Sequence, residues 1–160
     1  MSIEAKLKEM GLELPSVAAP VAAYIPAIKV DNFVYTSGQI PIVAGELKYN
    51  GKVGADLSEE EAYKAAQVCA LNCLAAIKSV AGSLDYIEQI VKVVGFVNSA
   101  PGFKMQPKVI NGASELLGNL FGAHGAHARS AVGVSELPID AAVEVELIIK
   151  LRDFKKESHC

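Results

Sequence analysis

The hydrophobic pattern along the chain alternates between a period of 3.6 and a period of 2. Residues Met1 to Gly11 place Ile3, Leu7 and Met10 on one side of a charged amphipathic helix. Pro15, Pro20 and Pro26 then disfavour helix and predict an extended connector. Ile28-Lys29 and Phe33 to Ser37 read as short strands paired around Asp31-Asn32, and Ile40 to Val43 runs on to a turn at Ala44-Gly45. Ser58-Glu59-Glu60-Glu61 is a capping box opening a long Ala-rich helix that closes at Gly82. Ile90 to Asn98 is a nearly unbroken apolar run, the pattern of a central strand covered on both faces. Lys104 to Gly122 predicts a second long helix, weakened by Gly112 and Gly118, and Arg129 to Val134 and Ala142 to Leu151 predict closing strands. In the last of these, Val143, Val145, Leu147, Ile149 and Leu151 share one face while Glu144, Glu146 and Lys150 share the other. One face packs on helices. The charged face either meets water or meets a neighbouring subunit and lines a cleft.

Composition narrows the class. A chain of 160 residues is the size of one domain, residues 1–160, with residues 1–20 as an N-terminal extension. Hydrophobic residues make up 51% and charged residues 21%, which is apolar for a monomer of this length and predicts a homo-oligomer. The formal net charge of -3 argues against a nucleic-acid partner, whose phosphates demand many cations. No apolar stretch reaches the roughly 18 to 20 residues that span a bilayer, and the charged first helix lacks the features of a signal peptide. A cytoplasmic protein without membrane contact is expected. Three cysteines fit reduced thiols, and Cys69 and Cys73, one helical turn apart, fit a buried stripe.

Candidate chemistry gathers near the C-terminus. Arg129 and Glu144 lie fifteen residues apart, an arginine ahead of a loop and a carboxylate on the returning strand. Such a pair can sit across one small cleft, the guanidinium fixing an anionic substrate and the carboxylate handling a proton or a water. It can equally form a structural salt bridge. His124 and His127 have no third ligand beside them in sequence, so no metal site is expected.

Tyr35-Thr36-Ser37-Gly38-Gln39-Ile40-Pro41, followed by Ala128-Arg129-Ser130-Ala131-Val132, Leu137-Pro138 and Val143-Glu144-Val145-Glu146, resembles the RidA/YjgF/liver perchloric-acid-soluble protein (L-PSP) family over roughly Val21 to Leu151. The resemblance implies an α+β, chorismate-mutase-like fold, with two helices on one face of a mixed sheet, here preceded by an extra helix. It also implies a homotrimer with clefts between subunits and, without any cofactor, hydrolysis of enamines and imines such as 2-aminoacrylate and 2-iminobutanoate to 2-keto acids and ammonia. Arg129 then matches the carboxylate-binding arginine and Glu144 the acid/base or water-orienting glutamate. Tyr24 matches the aromatic that closes the pocket, Ser37 the family serine, Gly38 a backbone amide donor and Asn111 an asparagine on the second helix. Each has a plainer reading: Tyr24 as an interface aromatic, Ser37 bonded only to backbone, Asn111 as local capping.

The chain departs from the family pattern in its N-terminal helix, in a longer segment before Arg129, in His127 where a proline or small residue is usual, and in Ala131 where several deaminases have cysteine. These features resemble a longer branch carrying an endoribonuclease label. Endoribonuclease activity and non-catalytic binding of small carboxylates therefore stand as alternatives to the deaminase.

Overall fold

The computed structural model describes residues 1–17 and 23–154, so the reading on Pro20 lies outside the described residues. The first helix, α1 (Ile3–Glu9), is capped by Ser2, whose Oγ accepts the Ala5 N–H at 3.1 Å. It buries Ile3 and Leu7, but Met10 lies beyond the helix and is 40% exposed, because Gly11 turns the chain away at φ 73°. The helix is tied to the body by an Ile3 N–H donated to Asp85 at 2.8 Å, by Lys6 Nζ donating to the Leu120 carbonyl at 3.1 Å, and by a 2.5 Å ion pair between Lys78 and Glu4.

Five strands, β1 (Ala27–Val30), β2 (Phe33–Thr36), β5 (Ile87–Asn98), β6 (Ala128–Val134) and β7 (Val143–Leu151), form a mixed sheet in the order β1-β2-β7-β5-β6. Every pairing is antiparallel except β5 with β6. The small hairpin β3 (Ile42–Val43) and β4 (Glu46–Leu47) stands apart from that sheet. The expected Ile40 to Val43 strand is therefore shorter, because Gln39 pairs instead with Val145, exchanging N–H···O bonds of 2.8 and 3.0 Å. Likewise β2 stops at Thr36, since the Ser37 N–H turns aside to the Pro26 carbonyl at 2.8 Å.

Helices α2 (Glu59–Ala81) and α3 (Gln106–Phe121) cover one face of the sheet, as the sequence pattern predicts. In α2 the capping box is complete, with Ser58 and Glu61 each accepting the other's backbone N–H at 3.1 Å, and Gly82 closes the helix at φ 90°. α3 starts at Gln106, not Lys104, and holds Pro107 in its first turn, where a missing N–H costs nothing. The two helices approach almost backbone to backbone at Gly112, where a Cβ would overlap the Tyr63 carbonyl. That closeness follows from Ala62, Ala65, Ala66 and Ala113, all fully buried small residues.

The odd-numbered side chains of β7 face the helices and are at most 5% exposed. Cys69 and Cys73 lie fully buried beneath them, each Sγ donating to a β7 carbonyl, Val143 at 3.5 Å and Val145 at 3.2 Å. Burial pushes the Cys73 thiol up to about 12, so it packs as a small apolar side chain, not as a nucleophile. On the opposite sheet face β5 is only half covered, so it is an interior strand with one open side.

Candidate functional site

Arg129 sits on β6, the edge strand, in register with Val93 of β5 and, across β5, with Leu147 of β7. Residues in register share a sheet face, so Arg129 points to the helix side, over α3. There its Nη1 donates twice, to Asn111 Oδ1 at 2.8 Å and to Ser114 Oγ at 3.2 Å. Asn111 and Ser114 are three residues apart on α3 and so present their side chains to one patch. His127, just ahead of β6, closes the cluster: Nε2 is 2.9 Å from Ser114 Oγ and Nδ1 is 2.6 Å from the Gly125 carbonyl oxygen. Among the described residues, no hydrogen bond is made to Nε or Nη2 of Arg129. Asn111 thus holds Arg129 and does not cap its own helix. Ala131 lies two residues along β6 on the same face, half-buried and in register with Gly95.

Glu144 is in register with Phe96 and, across β5, with Val132, on the open face of the sheet. Gly38 lies directly against it: a Cβ at residue 38 would come within 2.7 Å of Glu144 Oε1. Burial, and then the neighbouring charge of Glu146, raise the Glu144 carboxyl above the ordinary glutamate range. The Gly38 N–H makes no hydrogen bond among the described residues. Ser37 is less available, because its Oγ donates to the Ile25 carbonyl at 2.6 Å. Tyr24, 66% exposed, shares a cleft of about 420 Å³ with Gly38, Gln39, Ile40 and Asn72, walled on one side by Pro15, Ser16 and Val17 of the extension.

Arg129 and Glu144 therefore do not sit across one cleft within a single chain. They project from opposite faces of the sheet, two strands apart, which is about 10 Å sideways, and three residues apart in register, about another 10 Å along the strands. The structure also offers no Arg129 salt bridge to Glu144 or Glu146, since α3 has taken Nη1. It gives two separate clusters, Arg129 with Asn111 and Ser114, and Glu144 with Gly38, while Tyr24 shares with Gly38 a cleft that Glu144 does not line. The open face between them exposes Ile28, Val30, Phe33, Tyr35 and Val132, each by 36 to 50%. Sequence reading missed Ser114. The signal was the i, i+3 spacing from Asn111, which puts both polar side chains on the stripe of α3 that faces β6.

Residues 4–151 match the family described as "YjgF/chorismate mutase-like, putative endoribonuclease". The chain belongs to the RidA/YjgF family. The chain is similar to Protein TCP17 of Trypanosoma cruzi, 40% identical over 94% of this chain and 95% of that protein. A 2-iminobutanoate/2-iminopropanoate deaminase of Dermatophagoides farinae is 30% identical over 86% of this chain and 93% of that one. The crystal structure of Atu1372 from Agrobacterium tumefaciens superposes with a TM-score of 0.88 at 42% identity, covering 94% of this chain and 92% of that chain. The mixed sheet with helices on one face is the RidA/YjgF, chorismate-mutase-like fold. Among the described residues no cluster of three His, Cys, Asp or Glu side chains is placed to hold a metal ion, and no helix is long and apolar enough to cross a membrane.

Proposed function

We propose that copies of this chain associate as a homotrimer whose inter-subunit clefts hydrolyse small enamines and imines of the 2-aminoacrylate and 2-iminobutanoate class to 2-keto acids and ammonia. One observation carries this reading: among the described residues Arg129 is held through Nη1 alone, leaving the planar Nε–Nη2 edge for a carboxylate. The exposure of Ile28, Val30, Phe33, Tyr35 and Val132 on the open face supports association. A neighbouring copy would bring the second half-site to the first, since one chain cannot. The deaminase name of the Dermatophagoides relative agrees with the substrate class.

In such a cleft the substrate carboxylate pairs with Arg129 and accepts the Gly38 N–H of the other copy. Glu144, whose carboxyl is raised above the ordinary glutamate range by burial and by the neighbouring charge of Glu146, protonates the enamine carbon or imine nitrogen. Water attacks the resulting iminium carbon as Glu144 takes one of its protons; Glu144 returns that proton to the carbinolamine nitrogen, and the C–N bond then breaks as C=O forms, the hydroxyl proton passing back to Glu144 and ammonia leaving. Overall one imine and one water give one keto acid and one ammonia, with no redox change. Imines already react with water unaided, so positioning and proton transfer are sufficient. Tyr24 would close over the substrate side chain, and Ala131 leaves space beside Arg129 where a larger residue would fill it.

The test is keto-acid release from imines generated in situ from several amino acids, with wild type and Arg129→Ala. Wild type is expected to accelerate release and the variant to lose the effect. Equal behaviour of the two defeats the reading. Binding of a 2-keto acid without turnover would favour a carboxylate binder. RNA cleavage abolished by Arg129→Ala would favour the endoribonuclease reading, which the acidic net charge disfavours.

A further inference from the structure

With the His127 ring neutral, the hydrogen bonds around it have one consistent direction. A carbonyl oxygen can only accept, so the contact of Nδ1 with the Gly125 carbonyl at 2.6 Å fixes the ring proton on Nδ1. In the neutral ring, Nε2 is then a bare acceptor, and the Ser114 hydroxyl 2.9 Å away must donate to it. With its single proton so used, Ser114 Oγ presents only lone pairs to Arg129 Nη1 at 3.2 Å. The second Nη1 proton goes to Asn111 Oδ1 at 2.8 Å. Arg129, Ser114 and His127 are all half-buried, which keeps these bonds from exchanging freely with water.

We propose that Ser114 and His127 are positioning residues for Arg129: a one-way hydrogen-bond relay commits Nη1 to the protein and turns the Nε–Nη2 edge out to grip a substrate carboxylate. The proposal rests on the carboxylate reading of Arg129 given above and adds the residues that set its orientation. A long arginine side chain has several rotatable bonds, and holding it in one pose before the ligand arrives removes an entropic cost from binding. The anchor is the 3-10 turn at Gly122–Gly125, whose carbonyl fixes the histidine tautomer and thereby the polarity of the whole relay. The longer segment ahead of β6 thus acquires a role in the site without touching substrate.

Two readouts test this, on the intact protein. The first is the ¹⁵N spectrum of the His127 ring at pH 8, where a neutral ring protonated on Nδ1 is expected, and where Ser114→Ala should perturb the Nε2 resonance. A ring protonated on Nε2 overturns the relay. The second is calorimetric binding of 2-oxobutanoate together with KM and kcat. His127→Leu and Ser114→Ala are each expected to weaken binding and raise KM about five- to tenfold, the scale of one lost hydrogen bond, with kcat within about twofold. Ser114→Thr, which keeps the hydroxyl, and His127→Gln, whose carbonyl can still accept from it, should stay within about twofold of wild type in both. Leu, Gln, Ala and Thr variants that all bind alike defeat the proposal. Should wild type bind no 2-oxobutanoate, the carboxylate reading itself falls, and the spectrum alone then decides whether the relay exists.

Discussion

Gly38→Ala isolates the carboxylate half-site with the smallest possible change. Gly38 has no positive φ, so alanine is allowed by the backbone, and the three atoms nearest the new methyl all belong to the Glu144 side chain, at 2.7 Å for Oε1, 2.8 Å for Cδ and 3.1 Å for Cγ. An ordinary contact of about 3.4 Å requires the carboxylate to retreat by about 0.7 Å. The far end of a half-buried glutamate can do this by a small torsion, so the expected loss of stability is under about 1 kcal/mol. Catalysis is less forgiving, because a displacement near 1 Å costs about a hundredfold when a proton donor must face its acceptor. The expected result in the imine assay is a kcat lower by about ten- to a hundredfold, with KM little changed because Arg129 is untouched. Adding Gly38→Ala to a Glu144→Ala background should do nothing further, since the methyl acts through that side chain. A Gly38→Ala enzyme with wild-type kcat would refute the assignment of proton transfer to Glu144.

Three other expectations concern stability and charge. Gly112→Ala drives a methyl into the Tyr63 carbonyl, a backbone atom that cannot turn aside, and should destabilise by about 3 kcal/mol or more in urea unfolding; a loss below about 1 kcal/mol would show that α2 and α3 can slide apart. Glu144 has a folded pKa above its unfolded one, so the folded chain holds that proton to higher pH and loses stability as pH rises from about 4.3 through the raised value. Glu144→Gln should therefore raise Tm relative to wild type at pH 8, with the gain shrinking towards pH 4; a pH-independent difference would contradict it. Thr36→Val should cost about 1 to 3 kcal/mol by denaturant titration, because Thr36 Oγ1 accepts the buried Leu147 N–H at 2.9 Å and no other acceptor replaces it; an unchanged midpoint would show that the N–H is satisfied elsewhere.

Local signals carried far along this chain. The alternation of Val143 to Leu151 gave the buried face of β7 residue by residue, and Ser58 and Gly82 marked both ends of α2, because capping and periodicity are written in neighbouring residues. The ladder was less legible. Whether Gln39 would pair with Val145 or continue a hairpin depends on a strand more than a hundred positions later. That Arg129 and Glu144 project from opposite faces was not legible for the same reason: spacing along the chain says nothing about facing, and facing depends on β5 lying between β6 and β7 with one parallel and one antiparallel neighbour. The Arg129 cluster was half legible: Asn111 matched the family pattern and His127 stood out as a departure from it, but that Ser114 joins them depends on how α3 packs against β6.

The division of Arg129 and Glu144 between two faces of one sheet has a genetic corollary. If each cleft borrows its arginine from one copy and its carboxylate from the next, a chain lacking Arg129 and a chain lacking Glu144 are each inactive alone. Co-assembled, however, they place the defects of both in some clefts and of neither in others. Two null alleles of this protein would then complement in a mixed ring, and the recovered activity would count the clefts built from one intact half of each.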